Sequence, residues 1–134
     1  MKKEVGFVCF GEVNTPIERL QAKHDQALEA LEAMGYCLCD GGLVIDDPEY
    51  RTADAAIARL RNFPMSSLIV CIAGWIPTHA VLRVTDVFRT VPMVLWGLCG
   101  WMENGRLVTT AEQAGTTALR GGVGMPAGGN KPIL

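Results

Sequence analysis

The sequence has no cluster of lysine and arginine, no apolar run approaching the roughly 20 residues a bilayer requires, no C-x-x-C pair, and only 2 histidines. Each absence closes off a class of function. With 12 basic against 14 acidic side chains and a net charge of -2, the chain lacks the electrostatic footprint that a phosphate backbone demands, so nucleic acid is excluded as an expected partner. No membrane role is expected. Cys37 and Cys39 form C-x-C with no histidine beside them, which leaves a zinc set incomplete. The 5 cysteines are an odd number, and most lie within strand-like apolar runs, which suits reduced, buried thiols and a cytoplasmic setting. No G-x-G-x-x-G follows a strand, since Gly121-Gly122-Val123-Gly124 comes after a helical pattern, so dinucleotide binding is not expected.

What the sequence does have is 49% hydrophobic residues in 134, enough for one domain burying roughly two thirds of its unfolded surface. The opening Met1-Lys2-Lys3 mimics a signal peptide, but its apolar stretch meets Gly11 and Glu12 at once and reads as a strand over Val5 to Phe10. Thr15-Pro16-Ile17-Glu18 then predicts a helix start: Thr15 as cap, Pro16 at the first helical position, and Glu18 returning a bond to the cap. Ile17, Leu20, His24, Ala27, Leu28, Leu31 and Met34 recur at helical spacing, and Gly35 is placed to end the helix in a left-handed conformation.

A second strand from Tyr36 toward Val44 leads through Asp46-Asp47-Pro48 into a helix with the stripe Ala53, Ala56, Ile57, Leu60 and Phe63. Ser67 to Ala73 is a strand of the doubly buried kind, ended by Gly74. Pro77 to Phe88 is a short helix with Val81, Val84, Val87 and Phe88 inward, and Val91 to Leu98 a fourth strand. This alternation predicts a three-layer, doubly wound, flavodoxin/Rossmann-like α/β domain with a mainly parallel sheet of four or five strands. It spans residues 1–120. Beyond Trp101 lie a turn at Glu103-Asn104-Gly105, a strand candidate over Arg106 to Thr109, and a capping box at Thr110 to Gln113 opening a helix through Leu119. Residues 121–134 hold five glycines and two prolines and read as an irregular tail. With no further strand after that helix, the chain reads as a portion of something longer or as one needing a partner.

Three familiar sites of this fold class fail on residue type. Six positions after Cys9 stands Thr15 where a phosphatase loop needs arginine, the third strand ends on Ala73-Gly74 in place of an aspartate, and the first turn offers one hydroxyl residue where a flavin phosphate needs several. Polar and aromatic residues remain at the strand exits: Glu12, Asn14 and Thr15, then Trp75, Thr78 and His79, then Trp96 and Trp101. Tryptophan faces against sugar C–H groups, with amide and hydroxyl partners for sugar hydroxyls, suit a carbohydrate surface. Core packing is the reading for Trp96 and surface function for Trp75, with both open for Trp101 and for His79. His24, on the apolar stripe, is expected to be a hydrogen-bonded, partly buried histidine. The acids at 46, 47 and 49 are accounted for by helix capping, and no complete catalytic set is present.

The segments "FGEVNTPIE", "CIAGWIPTH" and "PMVLWGLCGWMENGRLVTTAEQAGTTALR", from Val5 to Arg120, resemble the N-terminal domain of the L-fucose isomerase and L-arabinose isomerase superfamily, especially its fucose-isomerase-like members. The resemblance implies one domain of a three-domain aldose–ketose isomerase, working in substrate recognition and oligomerisation, whose Mn²⁺ ligands belong to the other two domains. It implies a homo-oligomer in which this domain closes the sugar site of a neighbouring subunit. By motif position, Asn14, Thr15, Trp75 and His79 become candidate sugar contacts, with Trp101 and Gln113 behind them. The resemblance ends at Arg120, where the family would run on into a linking strand. The alternatives are a stand-alone flavodoxin-like module binding a small ligand or a protein, and an enzyme pairing Glu12 with His79.

Overall fold

Near-continuous apolar runs that suit burial on both faces form the centre of the sheet in the computed structural model, which describes residues 2–12, 15–98 and 100–108. Strand β1 (Glu4–Phe10) leads to helix α1 (Ile17–Ala33), β2 (Cys37–Val44), α2 (Arg51–Leu60), β3 (Ser67–Ile72), α3 (Thr78–Thr85) with a 3-10 turn over Asp86–Phe88, and β4 (Met93–Gly97). An antiparallel hairpin follows, β5 (Trp101–Glu103) and β6 (Arg106–Val108). The first four strands pair in parallel in the order β2-β1-β3-β4, which makes the fold α/β of the flavodoxin/Rossmann-like kind.

Alternation along the strands splits the core in two. Val8, Phe10, Val44, Leu68, Val70 and Ile72 pack against Ala53, Ala56 and Leu60 of α2 and Ala80, Val81 and Val84 of α3. Val5, Phe7, Cys9, Ile69 and Cys71 pack on the other face against Leu20, Ala27 and Leu31 of α1, with Trp96 and Leu98 partly buried beside them. The chain therefore leaves β1 toward one face and, after crossing back over β1, leaves β3 toward the other. That reversal creates a crevice at the carboxyl ends of β1 and β3, the position where such sheets bind ligands.

Helix α1 begins at Ile17 with Pro16 in an extended conformation (φ -50, ψ 124) at the cap, and no side chain caps it. The expected Thr15–Glu18 box is thus not formed. Thr15 is 4% exposed and its backbone N–H donates to Glu12 O at 3.1 Å, which spends the residue on closing the β1 exit. Ile17 and Met34, the two ends of the expected stripe, are 53% and 72% exposed because they overrun the sheet. Gly35 does take the left-handed conformation (φ +89), its N–H donating to Glu32 O at 2.9 Å. A Cβ there would meet nothing within 4 Å. Gly35→Ala is therefore expected to cost about 1 kcal/mol, purely from backbone conformation. Urea unfolding should show a lower midpoint at unchanged slope, and an unchanged midpoint would refute that reading of the cap.

At α2 the acid caps from farther away than expected. Asp47 to Tyr50 form a turn, Tyr50 takes a left-handed conformation (φ 55), and the Asp47 carboxylate accepts the Arg51 N–H at 2.7 Å and the Thr52 hydroxyl at 2.9 Å. Those bonds hold its carboxyl below the usual range, the Arg51 N–H contributing most. Pro48 therefore sits in the turn, outside the helix. Val87, expected inward, is 43% exposed, because α3 gives way at Asp86 to a 3-10 turn whose changed periodicity buries Phe88 instead. The expected helix through Leu119 and the tail from Gly121 lie outside the described residues.

One irregularity positions a side chain. Phe7 pairs with Asp40 and Cys9 with Leu43, so β2 carries an extra residue opposite β1, with Gly42 at φ +89. This bulge places the Asp40 carboxylate against Gly42 N–H at 2.8 Å and against His24 Nε2 of α1 at 2.9 Å.

Candidate functional site

At the carboxyl edge the backbone ladders continue past the strands and set the exits side by side. Gly11 N–H donates to Val44 O at 3.1 Å, Ala73 N–H to Phe10 O at 2.8 Å, and Leu98 N–H to Ile72 O at 2.9 Å. The exits of β1 and β3 are therefore adjacent, with Glu12 and Thr15 after one and Gly74 and Trp75 after the other. Trp75 is half-buried.

Hairpin β5–β6 joins this edge through Trp101. The Arg19 guanidinium lies 5.1 Å and the Lys23 ammonium 5.8 Å from its ring centroid, both from α1. Lys23 is only 5% exposed, and its Nζ donates to Ala73 O at 2.6 Å, the last carbonyl before Gly74-Trp75. Arg19 also reaches Glu103 of β5 at 3.5 Å, a long, exposed pair that adds little. The Trp101 indole Nε1 is buried and has no hydrogen-bond partner among the described residues.

His79 takes a different side of the rim. It lies in the first turn of α3, exposed, with Nε2 3.1 Å from Asp46 Oδ1 beyond β2 and its ring edge-on to Tyr50 at 5.8 Å. Arg83 covers Tyr50 at 4.4 Å and bonds both oxygens of Asp54 at 2.8 and 3.1 Å, which raises its own pKa and lowers that of Asp54. His79 thus belongs to a network at the exits of β2 and β3, tied to α2 and α3. Of the expected contacts, Trp75 follows the β3 exit, Trp101 is linked to that exit through Lys23, Thr15 is buried after β1, His79 pairs with Asp46, and Asn14 and Gln113 lie outside the described residues.

Below the rim, Cys9 and Cys71 are direct partners across β1 and β3, both fully buried. The hydrogen bond of the Cys9 thiol to Cys71, then burial, pushes its pKa well above the ordinary value, so it is a poor nucleophile. An open groove of ≈ 480 Å³ lies between α2 and α3, lined by Asp54, Ile57, Arg61 and Val87 among others. Its lining lies on α2 and α3, and its polar groups are Arg61 and the Arg83–Asp54 pair. Among the described residues no three His, Cys, Asp or Glu side chains converge to hold a metal ion. Among them too, no helix is long and apolar enough to cross a membrane.

The sequence reading missed Lys23 and Arg19. Lys23 carried a signal: it stands three residues after Leu20 and four before Ala27, a charge set within an apolar stripe.

Together these features define an α/β domain with an aromatic and cationic rim at the crevice of a doubly wound sheet. No protein-family model, curated protein or solved structure matches the chain.

Proposed function

We propose that the chain is the substrate-recognition and oligomerisation domain of an aldose–ketose isomerase similar to L-fucose and L-arabinose isomerases. The observation that carries the reading is the adjacency of the β1 and β3 exits, which bear "FGEVNTPIE" and "CIAGWIPTH", with Trp101 of the third resembling segment linked to the β3 exit through Lys23. A tryptophan face covers the C–H side of a pyranose or an open-chain sugar, and polar groups around it select the hydroxyl pattern. This domain binds and orients the sugar and excludes water from one side. Metal and proton-transfer chemistry belong to the rest of the assembly, in which a neighbouring subunit shares the substrate. The hairpin gives assembly a surface to use: Met102 and Leu107 are cross-strand partners, 64% and 59% exposed.

Titration with L-fucose and L-arabinose, followed by tryptophan fluorescence, tests the reading. Saturable binding is expected, weakened about tenfold in Trp75→Ala, equivalent to about 1.4 kcal/mol for a lost stacking face. Binding that survives Trp75→Ala unchanged, or no saturable response to either sugar, would count against it.

A further inference from the structure

We infer that Lys23 is the positioning residue of the rim, a single ammonium that fixes both the Trp75-bearing β3 exit and the Trp101 ring of the proposed sugar site. This inference rests on the sugar-recognition reading for its ligand and on geometry for the rest. Lys23 projects from α1, on one face of the sheet, to the end of β3, where its Nζ donates to Ala73 O at 2.6 Å. Ala73 is anchored from its other side, its N–H donating to Phe10 O at 2.8 Å. The peptide from which Gly74 and Trp75 leave the sheet is therefore held between β1 and α1. The same ammonium stands 5.8 Å from the Trp101 ring centroid, so the direction of the Trp75 loop and the placement of the Trp101 indole share one charge. Lys23 is engaged beyond these two contacts as well.

A stabilising role alone is a poor explanation for an ammonium at 5% exposure on a helix stripe beside Leu20 and Ala27. Taking the charge from water is costly unless the ammonium makes good bonds where it is buried. What an apolar side chain cannot supply is a donor to Ala73 O and a cation for the indole. Lys23→Met leaves Ala73 O without that donor, so thermal stability should fall somewhat, and the affinity for L-fucose should fall about tenfold.

The experiment is an NMR comparison of wild type and Lys23→Met without ligand, then with L-fucose. In the unliganded variant the indole N–H resonances of Trp75 and Trp101 are expected to shift, with Trp96 little changed. If neither Trp75 nor Trp101 shifts, the inference is overturned whatever the sugar does. If both shift and wild type fails to bind L-fucose, the sugar reading falls and the positioning role stands. In wild type alone, the Lys23 ammonium should give a slowly exchanging ¹⁵Nζ signal, as a buried donor to a carbonyl must. Exchange as fast as that of surface lysines would overturn the inference even if the variant does not fold.

Discussion

Phe7→Ala is expected to destabilise the domain by about 4 kcal/mol, the largest single effect among the substitutions considered. Phe7 is 0% exposed at the middle of β1, the strand flanked by both β2 and β3, and its ring lies 5.7 Å from that of His24 beneath α1. Truncation removes the largest fully buried side chain of the α1-side core and leaves a cavity between the sheet and α1. Against a total stability of about 5 to 15 kcal/mol for a domain of this kind, the variant should be partly unfolded at 37 °C. Chemical denaturation checks this. A loss below about 1 kcal/mol would mean that the two-sided core is wrongly drawn.

The second large effect concerns pH. His24 is 5% exposed, with Nε2 at 2.9 Å from the Asp40 carboxylate and Nδ1 at 2.8 Å from Asp25 Oδ1. The Asp40 bond raises its pKa from 6.5 to about 8 against the opposing effect of burial, with Asp25 adding to the rise. A histidine raised in the folded state contributes stability that is fully present below pH 6.5 and is lost as pH rises through about 8. The loss amounts to about 2 kcal/mol when complete. Burial would raise the Asp40 pKa, but the bonds from His24 and from Gly42 N–H outweigh it, and the pKa is lowered. Its contribution therefore holds above the ordinary carboxylate pKa and fades in acid. The unfolding midpoint should be flat in the weakly acidic range and decline on the alkaline side, and His24→Gln should abolish the alkaline decline. In Asp40→Asn the largest raising influence is gone, so the His24 titration observed by NMR should move well down from about 8. A wild-type midpoint near 6.5 would contradict the ion pair.

The architecture was legible because parallel strands and amphipathic helices both write themselves in burial pattern. Val5 to Phe10 and Ser67 to Ile72 could hardly be anything but doubly covered strands, and Leu20, Ala27 and Leu31 mark one helix face. Local details resisted where tertiary contacts decide. Thr15 had every attribute of a cap and is instead buried under the β1 exit, while Asp47 caps α2 across a turn that only the left-handed Tyr50 makes possible. His24 is hydrogen-bonded as expected and more deeply buried than the expected partly buried histidine, but its partner Asp40 depends on a bulge that Gly41-Gly42 permits without announcing. The rim was half legible. Trp75 and Trp101 follow from strand exits and topology, whereas His79 turns to Asp46 because α3 packs beside α2, a relation no spacing in the sequence encodes.

The most direct test is an NMR titration of the chain with L-fucose, read residue by residue. Recognition at the β1/β3 crevice predicts shifts concentrated at Glu12, Thr15, Trp75 and Trp101, with Met34, Gly35, Phe63 and Met65 at the amino ends of the strands unmoved. Shifts centred on the amino edge or on the groove between α2 and α3, with Trp75 and Trp101 silent, would contradict it.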